Sequence, residues 1–328
     1  MSPIKDFTLT YEAFNPEGFS EGDTITGTVT LILTKDTKVK SIFVKAKGDA
    51  SVRWLEVNAN GWQFHRAHRR CFKVKEYLVK EAAKGTVLPQ GVNHFKFSLT
   101  FPLMDMPSSF KGPHGKIVYM LKAKVSRSSG QPSQVQRKIM FISKSLLHLN
   151  QVELNGSVYK EMGIFSKTKV KMFVTVDRRI YSPGDTVSVV VNIHNSTSKK
   201  MKPKFILQQK TRYSTRISVK TCVKHLCKMV GDTITPKSQQ TVSCQLKIPD
   251  DAFHTVTNCE LISVECYLKV YLDISFATDP EVVFPLVISP FSSVRAEAVE
   301  TYPAGASGGL SESDFSPSAL PAENHTWT

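Results

Sequence analysis

The sequence predicts an all-β protein made of two tandem β-sandwich domains followed by a short disordered tail. Three observations carry this prediction: apolar and polar residues alternate with period two, one turn motif occurs twice, and the composition changes near the end. The length of 328 residues also exceeds the roughly 250 residues at which a single hydrophobic core stops growing.

Period-two alternation recurs along the chain. In a first-half strand, Ile25, Val29 and Leu31 share one face while threonines occupy the other, and the same pattern occurs in residues 95–101 and 186–193. Helical spacing is not sustained over any long segment. Because Gly, Pro, Asn and Asp turns separate the strands, we expect antiparallel sandwiches rather than a parallel sheet with crossover helices.

An internal repeat indicates that the second sandwich copies the first. Residues 19–25 (Phe-Ser-Glu-Gly-Asp-Thr-Ile) recur as residues 181–187 (Tyr-Ser-Pro-Gly-Asp-Thr-Val), an offset of one domain length. Each copy supplies an aromatic anchor, a glycine that tolerates a positive φ and an aspartate that bonds nearby backbone before a strand begins. The predicted second core contains Val187, Val189 and Val191.

These patterns suggest the domain organisation. We expect a first domain at residues 1–148, a linker at 149–167, a second domain at 168–292 and an acidic, disordered tail at 293–328. Asn and Gly interrupt the alternation at the linker, and Ala, Gly, Ser, Pro and Glu dominate the tail.

Charge is distributed unevenly among these parts. Residues 1–148 hold 23 Lys and Arg against 11 Asp and Glu, residues 149–292 hold 19 against 12, and residues 293–328 hold 1 against 5. A basic body of this kind attracts nucleic acid, an anionic membrane leaflet or phosphorylated peptides. Because the sequence has no membrane-length apolar run and no apolar start, we expect a cytoplasmic protein with reduced cysteines.

The densest basic stretch is residues 65–75. Its candidate contacts with an anionic partner are Arg66, Arg69, Arg70 and Lys73. Two interpretations stay open: a solvated hairpin loop that leads into a strand, and a contact surface for phosphates or acidic peptides. Nucleic acid is disfavoured because no zinc finger, RNP aromatic or helix-turn-helix pattern accompanies the cluster.

No motif predicts catalysis, a metal or a cofactor. Cys222 and Cys227, like Cys259 and Cys266, lack Cys-x-x-Cys spacing, and Cys266 alternates with apolar residues as a core side chain does. Gly-x-Ser-x-Gly, His-Glu-x-x-His and phosphate-loop motifs do not occur. We therefore predict no catalytic residue, no metal ligand and no cofactor-binding residue.

Several segments resemble the arrestin-domain-containing proteins, or alpha-arrestins, and occur in that family's order. The segments are Val-Lys-Ser-Ile at 39–42, Lys-Gly-Asp-Ala at 47–50, Val-Arg-Trp at 52–54, Met-Pro-Ser-Ser-Phe-Lys-Gly at 106–112, Tyr-Ser-Pro-Gly-Asp at 181–185, Lys-Pro-Lys at 202–204, Cys-Glu-Leu-Ile at 259–262 and Phe-Pro-Leu-Val-Ile at 284–288. The resemblance covers about residues 5–290 and implies two immunoglobulin-like arrestin sandwiches.

The resemblance also implies a function. Alpha-arrestins are cytosolic, non-catalytic adaptors, peripheral at the plasma membrane and endosomes, that engage membrane receptors and transporters and help to direct their endocytosis, sorting and ubiquitination. Many recruit ubiquitin ligases through Pro-Pro-x-Tyr motifs bound by WW domains. No two prolines are adjacent in this sequence, so that direct route is not expected. The alternative is a structural scaffold of an endosomal sorting coat that acts without ubiquitin.

The tail prompts one hypothesis from charge alone. It carries five acidic residues against one arginine, and Ser311 and Ser313 flank acidic residues. A tethered acidic segment meets a basic surface at high effective concentration, and phosphorylation would strengthen that contact. The tail would then cover the basic first domain and compete with cargo; the alternative is a solvated tail that touches nothing.

Overall fold

The computed structural model describes residues 2–12, 18–59, 61–128, 130–146, 151–162 and 168–289. The strands of the first sandwich are β1 (Ile4–Tyr11), β2 (Thr24–Leu33), β3 (Thr37–Asn58), β4 (Gly61–Val79), β5 (Thr86–Leu88), β6 (Gly91–Thr100), β7 (Phe110–Lys111), β8 (Gly115–Arg127) and β9 (Ser133–Ile139). One sheet has the order β1-β2-β6. The other has the order β4-β3-β8-β7, with β5 paired to β3 and β9 paired to β8. A 3-10 turn at Lys144–Leu146 follows β9.

The second sandwich repeats this arrangement. Its strands are β10 (Leu154–Met162), β11 (Thr168–Val176), β12 (Ile180–Tyr181), β13 (Thr186–Asn195), β14 (Lys202–Ser214), β15 (Val219–Val230), β16 (Ser238–Lys247), β17 (Ile262–Asp273) and β18 (Glu281–Ile288). Its sheets have the orders β10-β11-β13-β16 and β12-β18-β17-β14-β15. The predicted all-β fold of two tandem sandwiches is confirmed. Across the described ranges, no helix is long and apolar enough to cross a bilayer. The tail, with Ser311 and Ser313, lies outside those ranges.

The repeated turn has the same geometry in both halves. Gly22 and Gly184 adopt φ angles of 81° and 88°, where a side chain would be strained. The aspartate after each glycine accepts a hydrogen bond from the N–H of the serine three residues earlier, at 2.7 Å in the first copy and 2.9 Å in the second. Each glycine N–H donates to the residue before a proline, Phe101 at 3.2 Å and Ile248 at 3.0 Å. The repeated sequence therefore specifies one turn structure, which is hydrogen-bonded to the end of a neighbouring strand.

Alternation places the predicted core residues inside. Ile25 and Val29 are fully buried in the main core of the first sandwich, while Leu31 belongs to a smaller apolar cluster of the same sandwich. Val187 and Val191 are fully buried in the core of the second. Burial of these β-branched and aliphatic faces is the main favourable contribution to the stability of both sandwiches.

The range expected as a linker, 149–167, contains a strand. β10 pairs with β11 over nine residues, from Leu154 opposite Val176 to Met162 opposite Thr168. The glycine that interrupts the alternation there, Gly156, is a close-approach residue: a Cβ at this position would lie 2.6 Å from a methyl group of Val282 and 2.9 Å from the ring of Phe284. A glycine that makes room for the facing sheet looks like a turn signal in sequence, which is why β10 was missed.

The main core of the first sandwich continues into the second half of the chain. The second-half side chains in this cluster are Tyr213, Val256, Ile262 and Val264. Nearby, the rings of Phe110 and Phe253 meet edge to face, with centroids 5.2 Å apart. Shared apolar burial therefore joins the two sandwiches more firmly than exposed ion pairs would.

We expect removal of the repeated aspartate to destabilise the protein. In the second copy, the Asp185 carboxylate accepts hydrogen bonds from the Ser182 N–H at 2.9 Å and from the Arg178 guanidinium at 3.1 Å. Asp185→Ala should lower the free energy of unfolding by about 1–3 kcal/mol because both bonds are lost. Chemical denaturation followed by circular dichroism measures this, with exposed Asp232 as the matched site. Equal losses in Asp185→Ala and Asp232→Ala would show that the turn contributes nothing specific.

Candidate functional site

The basic stretch at residues 65–75 lies wholly within strand β4. The loop interpretation is therefore wrong. β4 pairs with β3 along its length, from Val79 opposite Ile42 to Gly61 opposite Asn58. The stretch resembles a loop in sequence because β4 is an edge strand of the six-stranded sheet, so one of its faces and one of its edges meet water.

A β-bulge determines which face of the sheet each of the predicted contact residues lies on. Gly48 pairs with Phe72 and Asp49 with Arg70, so β4 carries one extra residue at Cys71. Without the bulge, Arg70 and Lys73 would lie on opposite faces, since they are three residues apart. With it, both share the outward face of the sheet.

The structure thus brings together three of the four predicted residues. Arg66, Arg70 and Lys73 lie opposite outward residues of β3. Arg69 lies opposite the buried Ala50 and points the other way, where its guanidinium is 3.3 Å from the carboxylate of Glu260 in the second half. Arg69 belongs to the contact between the halves rather than to the outward face.

The outward face of this sheet carries charge of nearly one sign. We call it the basic face, and its Lys and Arg residues are Lys45, Lys47, Arg53, Arg66, Arg70, Lys73, Lys75, Lys111, Lys116, Lys122, Lys124 and Lys138. Asp49 is the one acidic residue that the described strands place on it. Nine of these twelve cations lie outside the four predicted residues. Part of their signal in sequence was the pairs of lysines two residues apart, at 45 and 47 in β3 and at 122 and 124 in β8, which alternation alone also explains as a solvated face.

The single carboxylate of the basic face is surrounded by cations. The carboxylate oxygens of Asp49 lie 2.6 Å from the ammonium of Lys47, 3.0 Å from the guanidinium of Arg70 and 3.2 Å from the imidazole of His68. Partial burial raises the pKa of Asp49, but hydrogen bonds from Lys47 and Arg70 outweigh it, and the net pKa is lowered. Asp49 therefore stays ionised and fixes the orientation of Arg70.

The remaining cations repel one another. The pKa of Lys45 is lowered, first by desolvation and then by the charges of Lys122, Lys73, Lys47 and Arg70. Like charges held this close favour the uptake of an anion, which relieves their repulsion. The outward face therefore has a positive electrostatic potential.

A groove at one end of the basic face brings several of its cations together. It has a volume of about 690 Å³ and lies between the β3–β4 pair and the turn that joins β7 to β8. Its cationic and imidazole side chains are Arg53, Arg66, His68, Lys111, His114 and Lys116, and no acidic residue lines it. Desolvation and then the charge of Lys220 lower the pKa of His114, so its imidazole stays neutral at physiological pH and can donate or accept a hydrogen bond.

The second half of the chain shapes this groove. The turn is closed by a 2.9 Å hydrogen bond from the Gly112 N–H to the Gly115 carbonyl, and the His114 carbonyl accepts from the Arg53 N–H at 2.7 Å. A Cβ on Gly112 would lie only 2.3 Å from the hydroxyl of Tyr213, so a larger residue does not fit there. The position of the groove depends on the contact between the sandwiches.

The described ranges contain no metal-binding cluster of cysteines, and two of the cysteines have raised pKa values. No group of three or more His, Cys, Asp or Glu side chains is close enough there to hold a metal ion. Burial, together with nearby Cys259 and Asp49, raises the pKa of the Cys71 thiol to about 11. Burial raises the pKa of the Cys266 thiol to about 12. Both therefore stay protonated at neutral pH, and a protonated thiol is a poor nucleophile and metal ligand.

Comparison with known proteins agrees with the fold. Family models for the arrestin (or S-antigen) N-terminal and C-terminal domains match residues 8–148 and 166–292. Arrestin domain-containing protein 4 from Homo sapiens is 25% identical over 300 residues, which cover 87% of this chain and 71% of that protein. The Mus musculus protein of the same name is 26% identical over 307 residues, which cover 88% of this chain and 73% of that protein. This chain belongs to the alpha-arrestin family. Thioredoxin-interacting protein from Rattus norvegicus is also similar, 24% identical over 315 residues, 89% of this chain and 76% of that protein.

The basic face and its groove belong to the N-terminal arrestin domain. Arrestin-family proteins are non-catalytic adaptors, and membership of the family is consistent with such a role.

Truncation of Arg66 should weaken the binding of a multiply phosphorylated peptide, while truncation of Arg69 should not. Arg66 lines the groove, whereas Arg69 lies on the same strand, faces the other way and pairs with Glu260. We expect Arg66→Ala to raise the Kd by about 3- to 10-fold, since one charge-assisted contact is lost at a partly exposed site. Fluorescence anisotropy measures both variants. Equal effects of the two substitutions would contradict the assignment of the face.

Proposed function

We propose that this alpha-arrestin is a cytosolic, non-catalytic adaptor that binds acidic or phosphorylated cytoplasmic segments of membrane receptors and transporters through its basic face. Cargo held in this way would be directed into endocytosis, sorting or ubiquitination. The observation that carries the proposal is the outward face of the six-stranded sheet, on which the described strands place twelve cations and one carboxylate.

The spacing of these cations supports an extended anionic partner. Cations two residues apart on a strand are separated by about 7 Å, and cations on adjacent strands by about 5 Å. Both distances are shorter than the screening length of about 8 Å at physiological ionic strength, so the potentials of neighbouring cations add. Such a field accelerates association with an acidic segment and orients it along the face.

The groove supplies the specific contacts within that field. Arg53 and Arg66 lie opposite each other at its edge, where two guanidinium groups can bind one phosphate with paired hydrogen bonds. Lys111 and Lys116 form the next opposed pair, on β7 and β8. A peptide phosphorylated at neighbouring positions would meet both pairs.

A role in ubiquitination would run through other proteins. Because the sequence contains no Pro-Pro-x-Tyr motif, we propose that a ligase is brought by the cargo or by a relative that carries the motif. Calorimetry with isolated WW domains should then give no specific complex; a micromolar complex would overturn this part of the proposal.

Charge reversal on the basic face should remove membrane cargo from the set of partners in cells. Proximity labelling compares the full chain with a triple variant, Lys73→Glu, Lys111→Glu and Lys116→Glu. The matched control reverses Lys169, Lys171 and Lys247, three exposed lysines of the C-terminal arrestin domain. We expect receptors and transporters with acidic cytoplasmic segments to be labelled by the wild type and the control, and to fall to background in the basic-face variant.

Two outcomes would contradict the proposal. The first is unchanged labelling of membrane proteins by the basic-face variant while both variants remain folded. The second is a nuclease-sensitive set of partners, since retention through RNA or DNA would mean that the basic face binds nucleic acid.

A further inference from the structure

The β3–β4 hairpin projects beyond the sheet to which it belongs. Pairing between β3 and β8 ends at Val52 opposite Gly115, whereas pairing between β3 and β4 continues to Asn58 opposite Gly61. The last six residues of β3 therefore have only β4 as a strand partner. At about 3.3 Å per residue, this two-stranded ribbon extends roughly 20 Å.

The end of the ribbon exposes four large apolar side chains. Leu55 is 49% exposed, Val57 62%, Trp62 74% and Phe64 56%. Leu55 lies opposite Phe64, and Val57 lies opposite Trp62, so all four share one face of the ribbon. We call these four residues the apolar tip.

The other face of the ribbon is different in character. It carries Glu56 opposite Gln63, and behind them the buried rings of Trp54 and His65 stack with centroids 5.1 Å apart. The apolar character of the tip is therefore confined to one side.

The apolar tip continues the basic face. Arg53 and Arg66 are the next opposed pair on the same side of the ribbon, and the outward cations of the sheet follow behind them. One continuous surface thus has an apolar end, an arginine pair and then a broad cationic area. We propose that the apolar tip inserts into the surface of an anionic lipid bilayer, with Arg53 and Arg66 binding the headgroup phosphates.

Shape and charge favour a bilayer over a protein pocket. The tip is a protrusion rather than a groove, and the cations behind it are spread over several strands, as a planar anionic surface requires. Tryptophan is enriched at the boundary between headgroups and acyl chains, because its ring is apolar and its N–H is polar.

Membrane docking differs from cargo binding in the residues that it needs. The proposed cargo contacts share Arg53 and Arg66 with docking, but docking also requires the apolar tip, which lies outside the groove. Loss of one therefore need not entail loss of the other, and the two proposals can fail separately.

Vesicle binding tests the docking proposal. The full chain is sedimented with phosphatidylcholine vesicles that either contain or lack phosphatidylserine. The tip variant carries Trp62→Ser and Phe64→Ser. The matched control carries Leu103→Ser and Phe276→Ser, which remove two apolar side chains that are 88% and 103% exposed elsewhere on the protein.

We expect the wild type and the control to bind the anionic vesicles. The tip variant should bind them at least about tenfold more weakly. Binding to vesicles without phosphatidylserine should be weak for all three, because the arginine pair then lacks a net anionic surface. Brominated acyl chains should quench tryptophan fluorescence in the wild type and not in a Trp62→Phe variant, which keeps the apolar surface and loses the reporter.

Equal binding of the tip variant and the control to anionic vesicles would overturn the docking proposal, and so would Trp62 fluorescence that brominated lipids do not quench. Unchanged vesicle binding combined with loss of a protein partner would show that the tip enters a protein pocket instead. In each case the affinity for the phosphorylated peptide is measured in parallel. If it is unchanged in the tip variant, the variant is folded and the proposal on cargo stands.

Discussion

The basic face exists because the opposite side of the same strands is buried. In β3 and β8, residues that alternate with the outward lysines form the core of the N-terminal arrestin domain, among them Val44, Ala46 and Tyr119. Apolar burial of the inward side chains offsets the repulsion that the outward cations would otherwise exert on the fold. The number of cations that the outward face can carry therefore depends on the core beneath it. One bulge, at Cys71, decides which cations of β4 belong to it.

The second sandwich has an indirect part in the same site. Tyr213 and Ile262 continue the first core, and both contact the glycines of the turn that forms one wall of the groove. A change in the contact between the two domains would therefore move Lys111 and His114 relative to Arg53 and Arg66. In this alpha-arrestin the two halves are coupled by packing, and the coupling reaches the surface that we propose for cargo.

Much of the fold was predictable, because alternation and the repeated turn each reflect a short-range rule. Ile25 and Val187 are buried as expected, and the two Gly-Asp turns share one geometry. Long-range features were not predictable. Gly156 interrupts the apolar alternation within β10 because side chains of the facing sheet, more than 120 residues away in sequence, leave no room for a Cβ. The composition of the basic face depends on sheet order and on the bulge, so the local cluster in β4 could not show that Arg66, Arg70 and Lys73 share one face while Arg69 lies on the other.

Lysine footprinting tests the central claim most directly. The full chain is acetylated at low reagent concentration with and without a saturating, multiply phosphorylated peptide, and the reactivity of each lysine is measured by mass spectrometry. The account predicts that Lys73, Lys111 and Lys116 lose reactivity when the peptide binds, while Lys169 and Lys171 of the C-terminal arrestin domain keep theirs. Protection confined to the C-terminal domain, or unchanged reactivity at Lys73 and Lys116, would contradict it.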